Sequence, residues 1–244
     1  MSHRLKILCL HGFTSNGAVH AHQLRRVTKA LPEYDFLFPD GPHKVDIQSQ
    51  MDLSQPENKK WSEIVNNLSS SGHRAWYFAR DTPDIGKGKG EFVGLETSLE
   101  SIGKLMKEEG PVHAIWGFSQ GAGLTGMLCA LLQERQREHQ LRKLMPSDLA
   151  TPLAGVILSG FKARFAQYDS AYEGGIDVPI MVVIGEGDSL VRNERSQALT
   201  HFCSQVRILT HDGGHNIPKN ESDVAQIVEF VREYVVSDKE SSKE

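Results

Sequence analysis

The chain alternates short, wholly apolar runs with longer amphipathic stretches. Leu5–Leu10 is apolar but for Lys6 and ends at His11-Gly12, which predicts a buried strand. Val19–Leu31 has helical spacing and stops at Pro32; Tyr34–Phe38 reads as a second strand, halted by Pro39-Asp40-Gly41-Pro42. Gly94–Glu109 carries Leu95, Leu99, Ile102, Leu105 and Met106 on one helical face and ends at Gly110-Pro111. Val112–Phe118 is the third strand, and a long helix is expected from Ala122 to about Leu144. Strands centred on Val156–Leu158, Pro179–Ile184 and Val206–Leu209 follow, with helices over Arg195–Phe202 and Ser222–Val235. Strands rich in Val, Ile and Leu without polar alternation are covered on both faces. Their alternation with helices implies an α/β fold with a mostly parallel, doubly wound, six-stranded sheet.

One segment breaks this rhythm. Gly41–Phe92 shows no long periodic element and holds Pro42, Pro56, Pro83 and the glycines Gly86, Gly88 and Gly90. A loop of that length is usually a binding insertion, and this one reads as a lid-like excursion above the sheet rather than a second domain. The expectation is one domain over residues 1–236, followed by a polar, disordered tail at 237–244.

Composition narrows the class without naming a chemistry. With 39% hydrophobic and 24% charged residues, the chain is neither fibrous nor disordered. A formal net charge of −4 provides no global cationic field for nucleic acid or an anionic membrane surface. The three cysteines, Cys9, Cys129 and Cys203, lie far apart, which suggests reduced thiols and a cytoplasmic protein. No apolar run approaches the length of a membrane span, so no membrane partner is expected.

The strongest chemical signal is Gly117-Phe118-Ser119-Gln120-Gly121, a G-x-S-x-G sequence between an apolar strand and a helix that opens on small residues. This context is that of a nucleophile elbow, a tight turn that lifts a serine hydroxyl above the sheet. A serine needs a base, and the base an orienting acid, in the chain order Ser, Asp or Glu, His. Asp188 follows the fifth strand within Gly185-Glu186-Gly187-Asp188, and His215 follows the sixth within His211-Asp212-Gly213-Gly214-His215. Ser119 is thus the candidate nucleophile, His215 the base and Asp188 the acid. Glu186 is the alternative acid and His211 the alternative base; Asp212 is a weaker rival, too close in sequence to His215. The oxyanion of an acyl-transfer intermediate needs two backbone N–H donors. Gln120 supplies one, and Phe13, in the loop after the first strand, the other. No metal and no cofactor are called for.

Other signals are weaker. His20-x-His22 has no third ligand and reads as a helix start. Gly86-Lys87-Gly88-Lys89-Gly90 matches no phosphate-loop pattern and reads as flexible lid. Cys9 lies in a core strand as an inert thiol. Arg135, Arg137, Arg142 and Lys143 form either a solvated face or a dock for an acidic carrier protein. Trp61, Trp76 and Phe78 are the candidate substrate-binding residues; on an extended segment Trp76 and Phe78 face one way and Tyr77 the other. Anchoring of the insertion is the competing role, above all for Trp76.

Leu8-Cys-Leu-His-Gly-Phe13, His73-Arg-Ala-Trp-Tyr-Phe78, Gly117-Phe-Ser-Gln-Gly121 and Gly213-Gly-His215 together resemble the FSH group, a family of serine hydrolases abundant in fungi. The likeness runs from about Lys6 to Val235, and Arg74–Phe78 is its most selective element. Residues 133–152 are longer and more polar than the family core. The resemblance implies an α/β-hydrolase fold with strand order 2-1-3-4-5-6 and Ser119, Asp188 and His215 as its triad. It also implies an acyl-serine mechanism acting on carboxylic esters or acyl thioesters. Members include carboxylesterases and lovastatin-type thioesterases that release polyketide chains from fungal synthases. An acyl carrier protein is therefore a partner the resemblance raises. A non-catalytic ligand-binding protein on the same fold is the alternative from another class.

Overall fold

The computed structural model describes residues 4–82 and 89–236. Its sheet begins with β1 (Lys6–Leu10) and β2 (Asp35–Leu37); β3 (His43–Lys44), β4 (Arg74–Ala75), β5 (Phe78–Asp81) and β6 (Gly90–Val93) belong to the insertion. The sheet resumes with β7 (Val112–Phe118), β8 (Ala154–Leu158), β9 (Ile180–Gly185) and β10 (Val206–His211). Its order is β2-β1-β7-β8-β9-β10, and every pair is parallel, which is the expected 2-1-3-4-5-6 arrangement counted over the sheet strands.

Each strand sends alternate side chains to opposite faces. Ile7, Cys9, Trp116, Phe118, Val156, Leu158, Met181 and Val183 pack beneath α1 (Gly17–Ala30) and α7, the last helix (Glu221–Tyr234). Leu8, Leu10, Ile115, Ile157, Val182 and Ile184 face the other way, with the insertion's Trp76, Tyr77 and Phe92. That second face also takes α4 (Leu95–Glu109) and α5 (Gln120–Leu131), with Leu199 of α6 (Asn193–Thr200). Asn16 and Asn220 cap α1 and α7, each side chain accepting from a backbone N–H three residues on.

Two expectations need correction. The insertion does contain helices: α2 (Ile47–Gln50) and the longer α3 (Pro56–Leu68). Pro56 stands at the start of α3, where its missing N–H costs nothing, and Val65 is buried one turn after Trp61. The helix expected over Ala122–Leu144 stops at Leu131 and is followed by short 3-10 turns at Glu134–Gln136 and Arg142–Leu144. All of α5 is buried, whereas Gln133–Gln140 holds no apolar residue, so a continued helix would have no face to bury. The expected flexible-lid glycines Gly86 and Gly88, and the tail from residue 237, lie outside the described residues. Among the described residues no helix is long and apolar enough to cross a membrane.

Candidate active site

The site stands at the C-terminal ends of the sheet strands, where parallel α/β sheets present ligands. Ser119 links β7 to α5 with φ 53° and ψ −114°. The turn closes because Gly117 and Gly121 lack side chains: a β-carbon on Gly121 would strike the carbonyls of Leu10 and His11, and one on Gly117 would strike Gly121 itself. The Ser119 N–H is held by the Leu158 carbonyl at 2.9 Å. Among the described residues, the other non-glycine residues with positive φ are Thr14 (57°) and Ser159 (48°), just past the ends of β1 and β8. Backbone strain therefore gathers at this one edge of the sheet.

Asp188 and His215 are brought together. His215 Nδ1 stands 2.8 Å from Asp188 Oδ2, and the imidazole lies 4.8 Å, centre to centre, from the ring of Phe118, the residue before Ser119. Asp188 Oδ1 accepts from the N–H groups of Leu190 (3.0 Å) and Val191 (2.8 Å). Burial works against the charged carboxylate, but the hydrogen bonds from Val191 and His215 hold its pKa below the usual range. An ionised Asp188 accepts the Nδ1 proton, which leaves Nε2 of His215 as an acceptor. Of the rivals, Glu186 and Asp212 are exposed. His211 is buried, and its Nδ1 accepts from the Gly213 N–H at 3.1 Å, so it shapes the loop that carries His215.

The backbone N–H groups of Phe13 and Gln120 donate to no acceptor among the described residues. What surrounds them was not visible in the sequence. The Gln120 side chain is clamped to the insertion: its Oε1 accepts from Trp76 N–H and its Nε2 donates to the Tyr77 carbonyl, both at 2.8 Å. The loop after β1 is clamped in the same way. Trp76 Nε1 donates to the His11 carbonyl (2.9 Å), and Trp61 Nε1 lies 3.0 Å from the Thr14 carbonyl. His73 Nδ1 bonds the Thr14 carbonyl (2.8 Å), and Arg74 N–H donates to Ser15 (2.7 Å). His11 Nε2 accepts from Gly41 N–H at 2.8 Å, so its other nitrogen carries the proton and donates to the Gly12 carbonyl. Burial, opposed by that bond to Gly12, lowers the His11 pKa to about 4 and keeps the ring neutral.

The aromatic residues of the insertion separate by role. Trp76 is 1% exposed, so it is a core anchor and offers no face to a substrate, which corrects its expected place in the pocket. Trp61 and Phe78 are part-exposed. Phe78 meets the Phe13 ring edge-on at 6.1 Å, beside the candidate oxyanion loop. Among the described residues no cluster of three or more metal-ligating side chains forms. His20 is buried and His22 exposed, so the two share no face. Cys9 and Cys129 are buried, and burial pushes both thiol pKa values well up; it also raises that of the part-buried Cys203, to about 11.

Comparison with known proteins matches residues 1–227 to the model of the serine hydrolase (FSH1) family. The chain is 29% identical over 235 residues to Esterase OVCA2 of Danio rerio, covering 94% of this chain and 97% of that protein. It is 32% identical over 220 residues to a Schizosaccharomyces pombe protein named dihydrofolate reductase, covering 90% of this chain but only 45% of that one. Among solved structures, Zea mays acyl-protein thioesterase 2 superposes with a TM-score of 0.61 at 16% identity, covering 97% of this chain and 96% of that one. Arabidopsis thaliana SOBER1 gives 0.58 at 20% identity, covering 96% and 100%. At those identities the shared property is the α/β-hydrolase fold. The chain belongs to the FSH1 serine hydrolase family and is a serine hydrolase.

Proposed function

We propose that Ser119, His215 and Asp188 form a catalytic triad that cleaves a carboxylic ester or acyl thioester through an acyl-serine intermediate. The observation that carries this reading is the 2.8 Å contact of His215 Nδ1 with buried Asp188, on a ring packed against Phe118 at the strained serine turn. His215 Nε2 takes the Ser119 proton as the hydroxyl oxygen attacks the substrate carbonyl. The oxyanion that forms accepts from Phe13 and Gln120 N–H. Collapse expels the alcohol or thiol with the proton from His215, and water, activated by the same ring, releases the acid. No metal or organic cofactor enters these steps. Phe78, and to a lesser degree Trp61, line the approach.

We read residues 1–236 as one domain and place the protein in the cytoplasm, where the separated thiols of Cys9 and Cys129 stay reduced. Polyketide release from an acyl carrier protein is the narrower reading. It lacks a docking surface at the arginine run: Arg135 pairs with Asp177, Arg137 with Glu134 and Lys143 with Glu138, while Arg142 is buried against carbonyls. A freely diffusing ester or thioester is therefore ranked first. The test is fluorophosphonate labelling beside hydrolysis of a hexanoyl ester and a hexanoyl N-acetylcysteamine thioester. Labelling and turnover that vanish in Ser119→Ala support the triad. Labelling that persists there overturns it, and absence of both in the wild type favours the ligand-binding alternative. Faster turnover of a carrier-bound acyl chain than of the small thioester would restore the carrier as partner.

A further inference from the structure

We infer that Arg195 binds an anionic group of the substrate, so that this hydrolase selects esters or thioesters bearing a carboxylate or phosphate near the scissile bond. The inference rests on the proposed triad and names the substrate class of that site. Arg195 lies in the first turn of α6 and is half-buried, yet its guanidinium makes no ion pair and no hydrogen bond among the described residues. It rests 4.3 Å above the ring of Phe161. The cations of this face that are engaged have named partners, such as Arg164 with Asp81 at 2.9 Å and Lys162 with Asp169.

The position of Arg195 ties it to the reacting serine along three lines. Phe161, on which it stacks, lies 3.2 Å from where a β-carbon of Gly123 would stand, and Gly123 N–H donates to the Ser119 carbonyl at 3.0 Å. Tyr77, whose carbonyl holds the Gln120 side chain, is within electrostatic reach of Arg195. The segment that carries Arg195 is the one that carries Asp188, and Ser196 Oγ pins it to the Gly160 carbonyl at 2.6 Å. The cation is therefore fixed on the helix that follows the acid's loop, one aromatic ring away from the helix that the elbow opens.

Its electrical surroundings are unfavourable to a lone cation. Burial, then the charge of Arg164, lower its pKa; Tyr77 opposes them and Arg192 adds the least. A part-desolvated cation beside two others and without a carboxylate is costly unless an anion completes it. A guanidinium stacked on an aromatic ring keeps its edge donors free for two oxygens of a carboxylate or phosphate. These oxygens can belong to the acyl chain, as in a dicarboxylic half-ester, or to the leaving group, as in a phosphorylated thiol.

Two substrate pairs distinguish the sources. Adipoyl against hexanoyl N-acetylcysteamine thioester places a carboxylate on the acyl side alone. Hexanoyl coenzyme A against hexanoyl pantetheine places phosphate on the leaving group alone. In the wild type, kcat/KM should favour the charged member of one pair by roughly 10-fold or more, less so at high salt. Arg195→Met should remove that preference while lowering the neutral reaction far less, and Arg195→Lys should keep part of it. Thermal melting checks that each variant folds, and Arg137→Met, remote and paired with Glu134, is the control for charge alone. No preference in either pair, or a preference that survives in Arg195→Met, overturns the inference. If neutral thioesters are cleaved by Ser119 without charge preference, this inference alone falls; if they are cleaved equally by Ser119→Ala, the triad falls with it.

Discussion

The sheet and the insertion over residues 41–92 reach the same site by different physics. The sheet places Ser119, Asp188 and His215 through apolar packing, with side chains such as Trp116, Ile157 and Val182 wholly buried between helix layers. The insertion is fastened by directed hydrogen bonds from His73, Arg74, Trp76 and Gly41 onto the loop after β1, and through Gln120 onto the elbow. Non-directional burial tolerates small shifts of the layers. Hydrogen bonds fix individual carbonyls and N–H groups. A hydroxyl, a ring and a carboxylate can be carried by a packed scaffold, whereas the proposed pair of backbone oxyanion donors demands that two loops be held in register. In this molecule the second task falls to the insertion.

The sharpest way to break the comparison is to remove chemistry without touching packing. Asp188→Asn should lower kcat by about 10⁴-fold, because an amide no longer fixes the Nδ1–H tautomer. Ser119→Ala should lower it at least as far, and neither should shift the melting temperature as a core truncation would. Glu186→Gln, at an exposed position, should stay near wild type. A larger loss in Glu186→Gln than in Asp188→Asn would reassign the acid.

Next comes the join between the two regions. Gln120→Ala frees the Trp76 N–H and Tyr77 carbonyl and loosens the first turn of α5. A donor displaced by even about 1 Å can cost about 10²-fold in rate. The expected outcome is a fall in kcat of up to about 10²-fold with KM little changed. Gln120→Glu can still accept from Trp76 N–H but cannot donate to Tyr77, so it should recover only part. A loss confined to KM would mean that the clamp serves substrate binding.

These two regions also divide what could be read in advance. Strand runs such as Val112–Phe118 are legible because a buried parallel strand is apolar almost throughout, His113 being the exception here. That Ser119, Asp188 and His215 stand just beyond the ends of their strands is legible because each follows its own apolar run. The anchors of the insertion are not, since a Trp61 indole meeting Thr14 is a long-range polar contact that leaves no period in the chain. The helix α3 does leave a signature, Pro56 at its start with Trp61, Val65 and Leu68 at helical spacing, but the exposed polar residues around its buried Ser62 and Val65 obscure it. The expected helix beyond Leu131 errs in the opposite direction. Leu141 and Leu144, three residues apart, suggest that the helix continues past the polar run, although they share no face with Leu131 and Leu132.

Acid pH strains the join and spares the apolar layers. Unfolded chain takes up protons on His11 and His20 near pH 6.5, whereas the folded rings stay neutral until about pH 4 and about pH 3. Burial is the leading cause in both. Between those limits the unfolded state binds more protons, so stability falls as pH drops from about 6.5. His11 alone accounts for a loss on the order of 3 kcal/mol by about pH 4. Melting temperatures across that range should therefore decline. Among the described residues neither ring nitrogen of His20 meets a partner in good hydrogen-bond geometry, Gln23 being its polar neighbour, so His20→Leu should flatten the decline at little cost at neutral pH. His11→Leu should flatten it too, but with a lower melting temperature at neutral pH, because Gly41 N–H then loses its acceptor. Equal behaviour of the two variants would mean that the His11 bonds do not hold the insertion.

The smallest expected effects separate anchoring from substrate reading inside the insertion. Trp61→Phe keeps most of the ring but deletes the N–H that meets both the Thr14 carbonyl and Thr14 Oγ1. One neutral hydrogen bond is worth about 1 kcal/mol, so a modest loss of stability should accompany a kcat lowered by a few-fold, equally for every acyl length. Phe78→Ala removes a part-exposed ring whose nearest aromatic neighbours are His43 and Phe13, and it leaves the insertion's hydrogen bonds in place. Each methylene that gains or loses a buried contact changes binding by about 0.8 kcal/mol. A Phe78 that lines the acyl path should therefore shift the preferred chain length by a few methylenes, while short esters react almost as before. Kinetics on an ester series of rising acyl length, run on both variants, makes the distinction. A uniform drop in Phe78→Ala would assign that ring to anchoring as well, and the insertion would then position the site without reading its substrate.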